Sequence, residues 1–529
     1  MFLISTQPVE PFNPTIHHHS ISAGGHPLWI SSSDKVEVYR VEPNRLLLFD
    51  GVLYPGSPDS SEIAAALLAQ DSAAMHRFKG LYTGALIDLQ SGKLRLFNDH
   101  LGTEDLYVWR GGAQLMASND LAALLRVLRP SQDDLDLRAQ DELIVLDGPL
   151  GERTWISGLR RLPPGTIASF ADGHMHTRAF WRYHLQPRPG LRESDAIEEL
   201  DALLLQSARR IHHLTGWASC CLGLSGGYDS RIAARYHQLA GADLIAHFFG
   251  EREPSEGQVA VNVAQHMGIP LHCVGRNREF PRLFSASINY YPDANLEWCK
   301  YLTGRETLPP FGVLLSGRLV GPHEAAKQLI AEPASARQCA ELVFERFKRV
   351  LCEPRMRERI IERLEEFFWN EGGSTASRIS TYMYRTSRPM NKHCGLFHNF
   401  SRQPHFSLFA DIDVVEFCLQ LPPEWLYSRS FYISFIDRRW PDLSRHRLPL
   451  SDRQNRYKPL ELWLRDNADF RRHAMEIVAG RGAVMPLNDE DVPLEDAIEH
   501  IDQGRYTRNQ IHLFFRHLSF QAFQNTYVV

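Results

Sequence analysis

A short segment near the middle of the chain has the residue types of an anion-binding turn. The sequence LGLSGGYDSR, residues 222–231, passes from an apolar run through Ser225, Gly226 and Gly227 to Asp229. Small residues let the backbone approach a phosphate closely, and the amides and dipole of a following helix attract the anion. Because the carboxylate of Asp229 would repel a phosphate, the pattern also predicts a magnesium ion between the two. A tight strand-to-helix turn with serine as the helix cap is the alternative interpretation.

The segments around this turn predict alternating strands and helices. Apolar runs at 218–224, 243–250 and 270–275 predict buried strands, and amphipathic runs at 230–240 and 255–268 predict helices between them. Such alternation is typical of a parallel α/β sheet. The first 185 residues or so instead show short alternating apolar and polar runs between turns, which predicts layered sheets. From about residue 325 onward the pattern is mostly helical.

Composition restricts the classes of protein that need consideration. The 529 residues predict two or three domains, and a net charge of −5 gives no electrostatic reason to expect a nucleic-acid partner. The sequence has no uncharged apolar run of 18 residues, so no membrane span is expected. The N-terminus lacks the features of a signal peptide, and the eight cysteines form no CxxC pair. We therefore expect a cytoplasmic location.

Beyond these inferences, the sequence resembles known families. SGGYDS, residues 225–230, resembles the pyrophosphate-binding loop of the ATP pyrophosphatases, which cleave ATP between the α and β phosphates. Residues 78–125 resemble the N-terminal domain of asparagine synthetase. The segments ISGLRRLPPGTIASF, FSLFADIDVVEFCLQLPPEW and RYKPLELWLRD are similar to later parts of that family. The matching positions of the N-terminal segment are Gly80, Asp88, Asp99, Gly102, Leu106, Tyr107, Ser118 and Leu121.

This resemblance implies a fold of class α/β with two domains. Residues 1–187 would form an Ntn-type αββα sandwich that is similar to a glutaminase, and residues 188–529 would form an ATP pyrophosphatase domain around a parallel sheet. ATP and Mg²⁺ would be required, with Asp229 as the metal ligand. The residues expected to bind or back the nucleotide are Leu222, Leu224, Ser225, Gly226, Gly227, Tyr228, Asp229, Ser230, Arg231, His247, Phe249 and Gly317.

The resemblance also implies roles in the reaction. Lys458 matches a lysine that stabilises developing negative charge, and Glu256 is a candidate acid near the adenosine. Arg231 would reach a phosphate or pair with Asp229, unless it is a solvated first-turn residue. A general base would assist attack by an amine, and the sequence does not choose among its candidates. These candidates are Tyr457, Tyr382, Tyr384 and Glu324.

Two departures from the family pattern shape the expected function. The family's glutaminase nucleophile is a cysteine at position 2, where this chain has Phe2, and the first cysteine here is Cys220. The resemblance therefore points to the β-lactam synthetases and lasso-peptide cyclases, whose N-terminal domain is inactive and whose amine belongs to a substrate. In addition, Arg318 stands where the family commonly has a metal-binding acid, while His323 and Glu324 lie a few residues later.

The leading hypothesis is an AMP-forming amide synthetase that adenylates a substrate carboxylate for attack by an amine. The alternatives are an amidotransferase that uses free ammonia or a partner glutaminase, and a non-catalytic nucleotide-binding scaffold. The expected partner is a small-molecule or peptide substrate that supplies the carboxylate or amine. The sequence also leaves two possibilities undecided: a partner enzyme that supplies this substrate, and a homodimer.

Overall fold

A computed structural model describes most of the chain. The described residues are 1–9, 16–69, 71–112, 114–146, 148–171, 173–249, 255–274, 288, 308–317, 335–347, 354–371, 404–428, 430–446, 468–487, 490–502 and 508–529.

The N-terminal part contains two antiparallel sheets, each of six strands in the described residues. The first has the order β10-β8-β9-β1-β3-β2 and the second β12-β11-β7-β6-β5-β4. The strands are β1 Phe2–Ser5, β2 Ile16–Ala23, β3 His26–Ser33, β4 Glu37–Glu42, β5 Arg45–Leu53, β6 Gly80–Asp88, β7 Leu94–Asn98, β8 Tyr107–Gly111, β9 Gln114–Ser118, β10 Leu159–Arg161, β11 Thr166–Ala171 and β12 His174–Ala179. The helices are α1 Ser60–Ala69, α2 Ser72–His76, α3 Leu121–Leu128 and α4 Leu137–Leu146.

Residue alternation along β1 shows how these sheets are layered. Phe2 and Ile4 lie in the apolar core that both sheets share, whereas Leu3 faces the core that includes α3 and α4. Successive side chains of a strand point to opposite faces, so one strand contributes to both layers. On the outer face of the second sheet, residues of β5 and β6 pack with α1. The αββα sandwich that was predicted for this part of the chain is therefore confirmed.

A parallel sheet forms the centre of the C-terminal part. Its order is β15-β14-β13-β16-β17, and every neighbouring pair is parallel. The strands are β13 Cys220–Gly223, β14 Leu244–Phe249, β15 Leu271–Val274, β16 Val313–Ser316 and β17 His405–Ser407. The first three were predicted as buried strands. A small antiparallel pair, β18 Val484–Leu487 and β19 Glu490–Pro493, lies near the C-terminus.

Helices surround this sheet and make up most of the described residues that follow it. Those before β16 are α5 Glu193–Leu214, α6 Tyr228–Leu239 and α7 Ser255–Met267. Those after β16 are α8 Ala336–Phe347, α9 Pro354–Glu371, α10 Ile412–Leu419, α11 Pro423–Tyr427, α12 Ser430–Arg439, α13 Pro441–Ser444, α14 Ala468–Val478, α15 Leu494–Asp502 and α16 Arg508–Tyr527. None of the helices in the described ranges combines the length and apolarity that crossing a bilayer requires.

Helix α10 connects the two parts of the chain through polar contacts. Lys79 pairs with Asp413, and the indole N–H of Trp181 donates to Glu416 at 2.9 Å. Arg188, which lies in the segment between the sandwich and α5, donates to the side chain of Gln420. The segment between the sandwich and α5 is therefore hydrogen-bonded to the end of α10.

Candidate functional site

The SGGYDS loop lies at the carboxyl end of β13, which is the central strand of the parallel sheet. The next two strands along the chain, β14 and β15, lie on one side of β13, while β16 and β17 lie on the other. The strand order therefore reverses beside β13. In open α/β sheets, ligands bind in the crevice at such a reversal, outside the carboxyl ends of the strands. The loop and the end of β16 lie at this reversal, and we call this region the crevice.

Helix α6 begins in the loop without a side-chain cap. Its N-cap residue is Gly227, which has no side chain that could accept from the first amides of the helix, so the serine N-cap of the alternative interpretation is wrong. The first amides of an α-helix have no partner within the helix. An uncapped helix start that follows small residues is suited to binding an anion.

Two serine hydroxyls fix the shape of the loop. The backbone N–H of Ser225 donates to Ser230 Oγ at 3.0 Å, and the N–H of Gly227 donates to Ser225 Oγ at 3.1 Å. These two amides are therefore paired inside the loop. An anion would depend on the first turn of α6, which begins at Tyr228.

Two glycines allow other elements to approach this loop closely. A Cβ at Gly226 would lie 2.9 Å from Cγ of Glu256, which places the first turn of α7 beside the loop. A Cβ at Gly317 would lie 2.3 Å from Cα of Ser230. The end of β16 thus packs directly against the first turn of α6, and Gly317 belongs to the crevice through this packing.

Asp229 receives a hydrogen bond from a residue that the sequence analysis did not identify. The hydroxyl of Tyr432, on α12, donates to Asp229 Oδ1, and Tyr432 is almost completely buried. Residues 203 positions apart are brought together here, so no local sequence signal could have revealed the pair. A carboxylate held by a buried hydroxyl has a defined orientation at the start of α6.

Arg231 is buried, so its interpretation as a solvated first-turn residue is wrong. It is 1% exposed, and it donates to the carbonyl oxygens of Gly226 at 2.7 Å and Leu443 at 2.9 Å. Its guanidinium also lies 5.1 Å from the ring centroid of Tyr228. Burial lowers the pKa of Arg231 to about 10. The side chain therefore joins the loop to α13 through backbone carbonyls.

The apolar residues assigned to the nucleotide belong to the core behind the loop. Leu222 and Leu224 are buried in the apolar cluster of the parallel sheet. His247 is also buried, with Nδ1 3.2 Å from Sγ of Cys221. Phe249 is the last residue of β14, and its side chain lies outside the described part of the structure.

Several predicted residues cannot be compared with the geometry of the loop. Those outside the described residues are Arg318, His323, Glu324, Tyr382, Tyr384, Tyr457 and Lys458. Among the residues that are described, no three His, Cys, Asp or Glu side chains are arranged to hold a metal ion. Mg²⁺ commonly takes one or two protein carboxylates and completes its shell with substrate phosphates and water. Asp229 at the start of α6 fits such a shared site.

The N-terminal sandwich buries the position where the resemblance would place a nucleophile. Phe2 is fully buried between the two sheets, its N–H donates to Asn119 Oδ1 at 2.8 Å, and its carbonyl accepts from Ser118 Oγ at 2.6 Å. Asp99, one of the positions that match the family, accepts hydrogen bonds from the backbone and hydroxyl of Thr103. Burial still raises the pKa of Asp99 to about 6.

Comparisons with known proteins give one informative match. No curated protein matches the chain. The solved structures that are similar at low identity include the following two. The "allosteric regulatory enzyme of purine biosynthesis" is 12% identical, with 65% of this chain and 72% of that chain covered at a TM-score of 0.22. Glutamine phosphoribosylpyrophosphate amidotransferase from B. subtilis, complexed with ADP and GMP, is 13% identical, with 62% and 71% covered at a TM-score of 0.22.

A TM-score of 0.22 is too low to indicate a shared fold. The informative match is to a family model that is described as a glutamine amidotransferase domain, and it covers residues 37–181. These residues include most strands of the αββα sandwich. Residues 37–181 of the chain are therefore similar to a glutamine amidotransferase domain.

Proposed function

We propose that the chain is an ATP-dependent, AMP-forming amide-bond synthetase of the asparagine synthetase superfamily. The observation that carries the proposal is the position of SGGYDS at the carboxyl end of the central parallel strand, followed by the uncapped helix α6. This arrangement offers backbone amides and a helix dipole to a polyphosphate. The resemblance of this loop to that of the ATP pyrophosphatases supports ATP as the ligand.

The reaction would proceed in two steps. A substrate carboxylate oxygen attacks the α phosphorus of ATP, the bond to the bridging oxygen of the β phosphate breaks, and pyrophosphate leaves. An amine then attacks the acyl carbon of the acyl-adenylate, loses a proton to a base, and expels AMP. Little covalent chemistry falls on the protein, so positioning and charge neutralisation dominate catalysis.

The described residues would act mainly on the pyrophosphate end of ATP. The first turn of α6 would hold phosphate oxygens, and Asp229 would share a Mg²⁺ ion with them. That ion would neutralise charge on the phosphates. Tyr432 would orient the carboxylate of Asp229, and Arg231 would keep the carbonyl of Gly226 turned away from the phosphates.

The family match of residues 37–181 supports a second candidate function, which is amide transfer from ammonia. Phe2 argues against glutamine hydrolysis in this domain, because phenylalanine has no nucleophilic group where the family has a cysteine, and no cysteine precedes Cys220. We therefore expect free ammonia or a partner glutaminase in this alternative. AMP formation that depends on added ammonium, with a carboxylate substrate, would favour it over attack by a substrate amine.

The primary test is binding of α,β-methylene-ATP, which cannot be cleaved between the α and β phosphates. Calorimetry should show tighter binding with Mg²⁺ than with EDTA. Asp229→Asn should weaken the Mg²⁺-dependent affinity by about 10–100-fold, the usual range for disturbed metal sites. Asp496→Asn, which alters an exposed first-turn acid of α15, is the matched control.

Tyr432→Phe tests the orientation of the Asp229 carboxylate. We expect a weaker Mg²⁺-dependent affinity with little change in the affinity measured in EDTA, because only the metal site uses that carboxylate. Tyr107→Phe is the control, since Tyr107 is also buried and its hydroxyl donates to Asp105 at 3.0 Å in the N-terminal sandwich. Absence of nucleotide binding in the wild type, or unchanged affinity in Asp229→Asn, would refute the proposed function.

A further inference from the structure

A cavity lies at the opposite end of the parallel sheet from the SGGYDS loop. Its volume is about 660 Å³, and α5, Trp217 and Ala240 contribute to its lining. Trp217 precedes β13, and Ala240 follows α6 on the way to β14, so both lie near the amino ends of the strands. Pro55 of the N-terminal part completes one side. The volume is that of a small-molecule site, and such sites favour junctions between parts of a protein.

Trp217 has an unusual backbone conformation and an exposed ring. Its φ is +59°, a left-handed value that bulky residues rarely adopt, and its N–H donates to the carbonyl of His212 at 3.0 Å. One face of the indole stacks on the buried ring of His212, with centroids 5.3 Å apart and planes 15° apart. Because Trp217 is nevertheless 53% exposed, the opposite face of the ring is open to a ligand. Strained backbone of this kind is often retained at ligand sites.

The α5 side of the cavity carries basic groups at helical spacing. Arg209 and His213 are four residues apart, so they lie on the same face of the helix, and both are exposed. Arg210 also lines the cavity, but it is paired with Asp411 at 2.9 Å and Asp413 at 2.7 Å. For Arg209, the described residues provide no ion pair. Within the described part of the chain, the cavity therefore presents the guanidinium of Arg209 without an ion-pair partner, beside an open aromatic face.

We propose that this cavity binds a small planar aromatic molecule with a single negative charge, an aromatic carboxylate being the simplest form. The ring of the ligand stacks on the open face of Trp217, where offset aromatic pairs are favourable. Its carboxylate accepts paired hydrogen bonds from the guanidinium of Arg209. Leu205 and Pro55 provide apolar surface for the ring edge. Binding in this cavity would not depend on the SGGYDS loop, which lies at the other end of the sheet.

A fluorinated naphthoate is a suitable probe, with binding to the full-length protein followed by fluorine NMR. Trp217→Leu should raise its Kd by at least about fivefold, the lower end of what stacking on an aromatic side chain contributes. Arg209→Gln should raise it by about tenfold or more, because a charged hydrogen bond is lost. Trp217→Phe keeps a flat ring and should retain most of the affinity. If Trp217→Leu fails to fold, Arg209→Gln, which changes an exposed side chain, provides the test.

Matched control variants and control probes distinguish binding at this site from non-specific binding. Trp369→Leu removes an indole that is 74% exposed on α9, and Arg192→Gln removes an exposed guanidinium at the start of α5. Neither should change the Kd. The neutral naphthamide and the non-planar cyclohexanecarboxylate should bind more weakly than the naphthoate. Equal Kd values in the wild type, Trp217→Leu and Arg209→Gln, or no binding at millimolar probe, would overturn the proposal.

Discussion

The contact between β16 and α6 can be tested by adding one methyl group. In Gly317→Ala, the new Cβ would lie 2.3 Å from Cα and 2.5 Å from N of Ser230, and 2.7 Å from the carbonyl carbon of Asp229. All three are backbone atoms, so no side chain can rotate away. Contacts under 3.0 Å essentially do not occur, and the first turn of α6 must therefore move by roughly 0.7 Å or more.

This displacement should be measurable in stability and in ligand affinity. Overpacking a close contact costs about 1–3 kcal/mol, so the free energy of unfolding in chemical denaturation should fall by that amount. The same movement shifts the amides of the first turn of α6. Hydrogen bonds to phosphate weaken steeply with distance, and we expect the Kd for α,β-methylene-ATP to rise by about tenfold.

Gly148→Ala is the matched control for this substitution. A Cβ at Gly148 would have no atom within 4 Å, and neither glycine has a left-handed φ. Replacing such a glycine should be neutral, or stabilising by about 0.4–1 kcal/mol. Equal unfolding free energies for Gly317→Ala and the wild type would refute the close packing of β16 on α6. A loss of stability with unchanged nucleotide affinity would instead refute the assignment of this crevice to ATP.

Two further predictions concern the N-terminal part and its contact with α10. Burial and the neighbouring His76 lower the pKa of His100 to about 3. Below about pH 6.5 the unfolded chain therefore binds a proton at His100 that the folded chain does not bind. The free energy of unfolding consequently decreases as the pH falls from about 6.5 to about 3. The unfolding free energy of His100→Gln should increase by about 3 kcal/mol relative to that of the wild type as the pH is lowered from about 6.5 to about 4. Denaturant titration at each pH measures both values. A difference between variant and wild type that does not change with pH would contradict this. For the partly exposed pair Lys79 and Asp413, a double-mutant cycle of Lys79→Met and Asp413→Asn should give a coupling of about 1 kcal/mol, and additive effects would show that the pair contributes nothing.

Local pattern was sufficient for the elements that surround the loop. Apolar runs bounded by glycine and polar turns predicted the three strands β13, β14 and β15, together with α6 and α7, and the structure confirms them. In β1, Phe2 and Leu3 enter different cores because successive side chains of a strand point to opposite faces. These features depend on residues that are neighbours in the chain, which is why one sequence reveals them.

The remaining parts of the site depend on contacts between distant segments. Strand β16 pairs with β13 although residues 223 and 313 are far apart in the chain, and the reversal of strand order follows from that pairing. A first-turn arginine such as Arg231 is usually solvated, and only the carbonyl of Leu443 and the fold of the loop bury it. The hydrogen bond from Tyr432 to Asp229 is equally non-local. Periodicity and composition contain no information about such contacts.

The segment formed by α12 and α13 engages α6 along most of its length. Tyr432 holds Asp229, the carbonyl of Leu443 accepts from Arg231, and further along Asp442 pairs with Arg235 at 2.7 Å. These three residues of α6 span its first two turns, which include the start that would face a phosphate. The orientation of the candidate anion site is therefore set jointly by the loop and by residues about 200 positions later. A change in α12 or α13 can alter the loop without touching its own sequence, so the SGGYDS motif alone does not define the site.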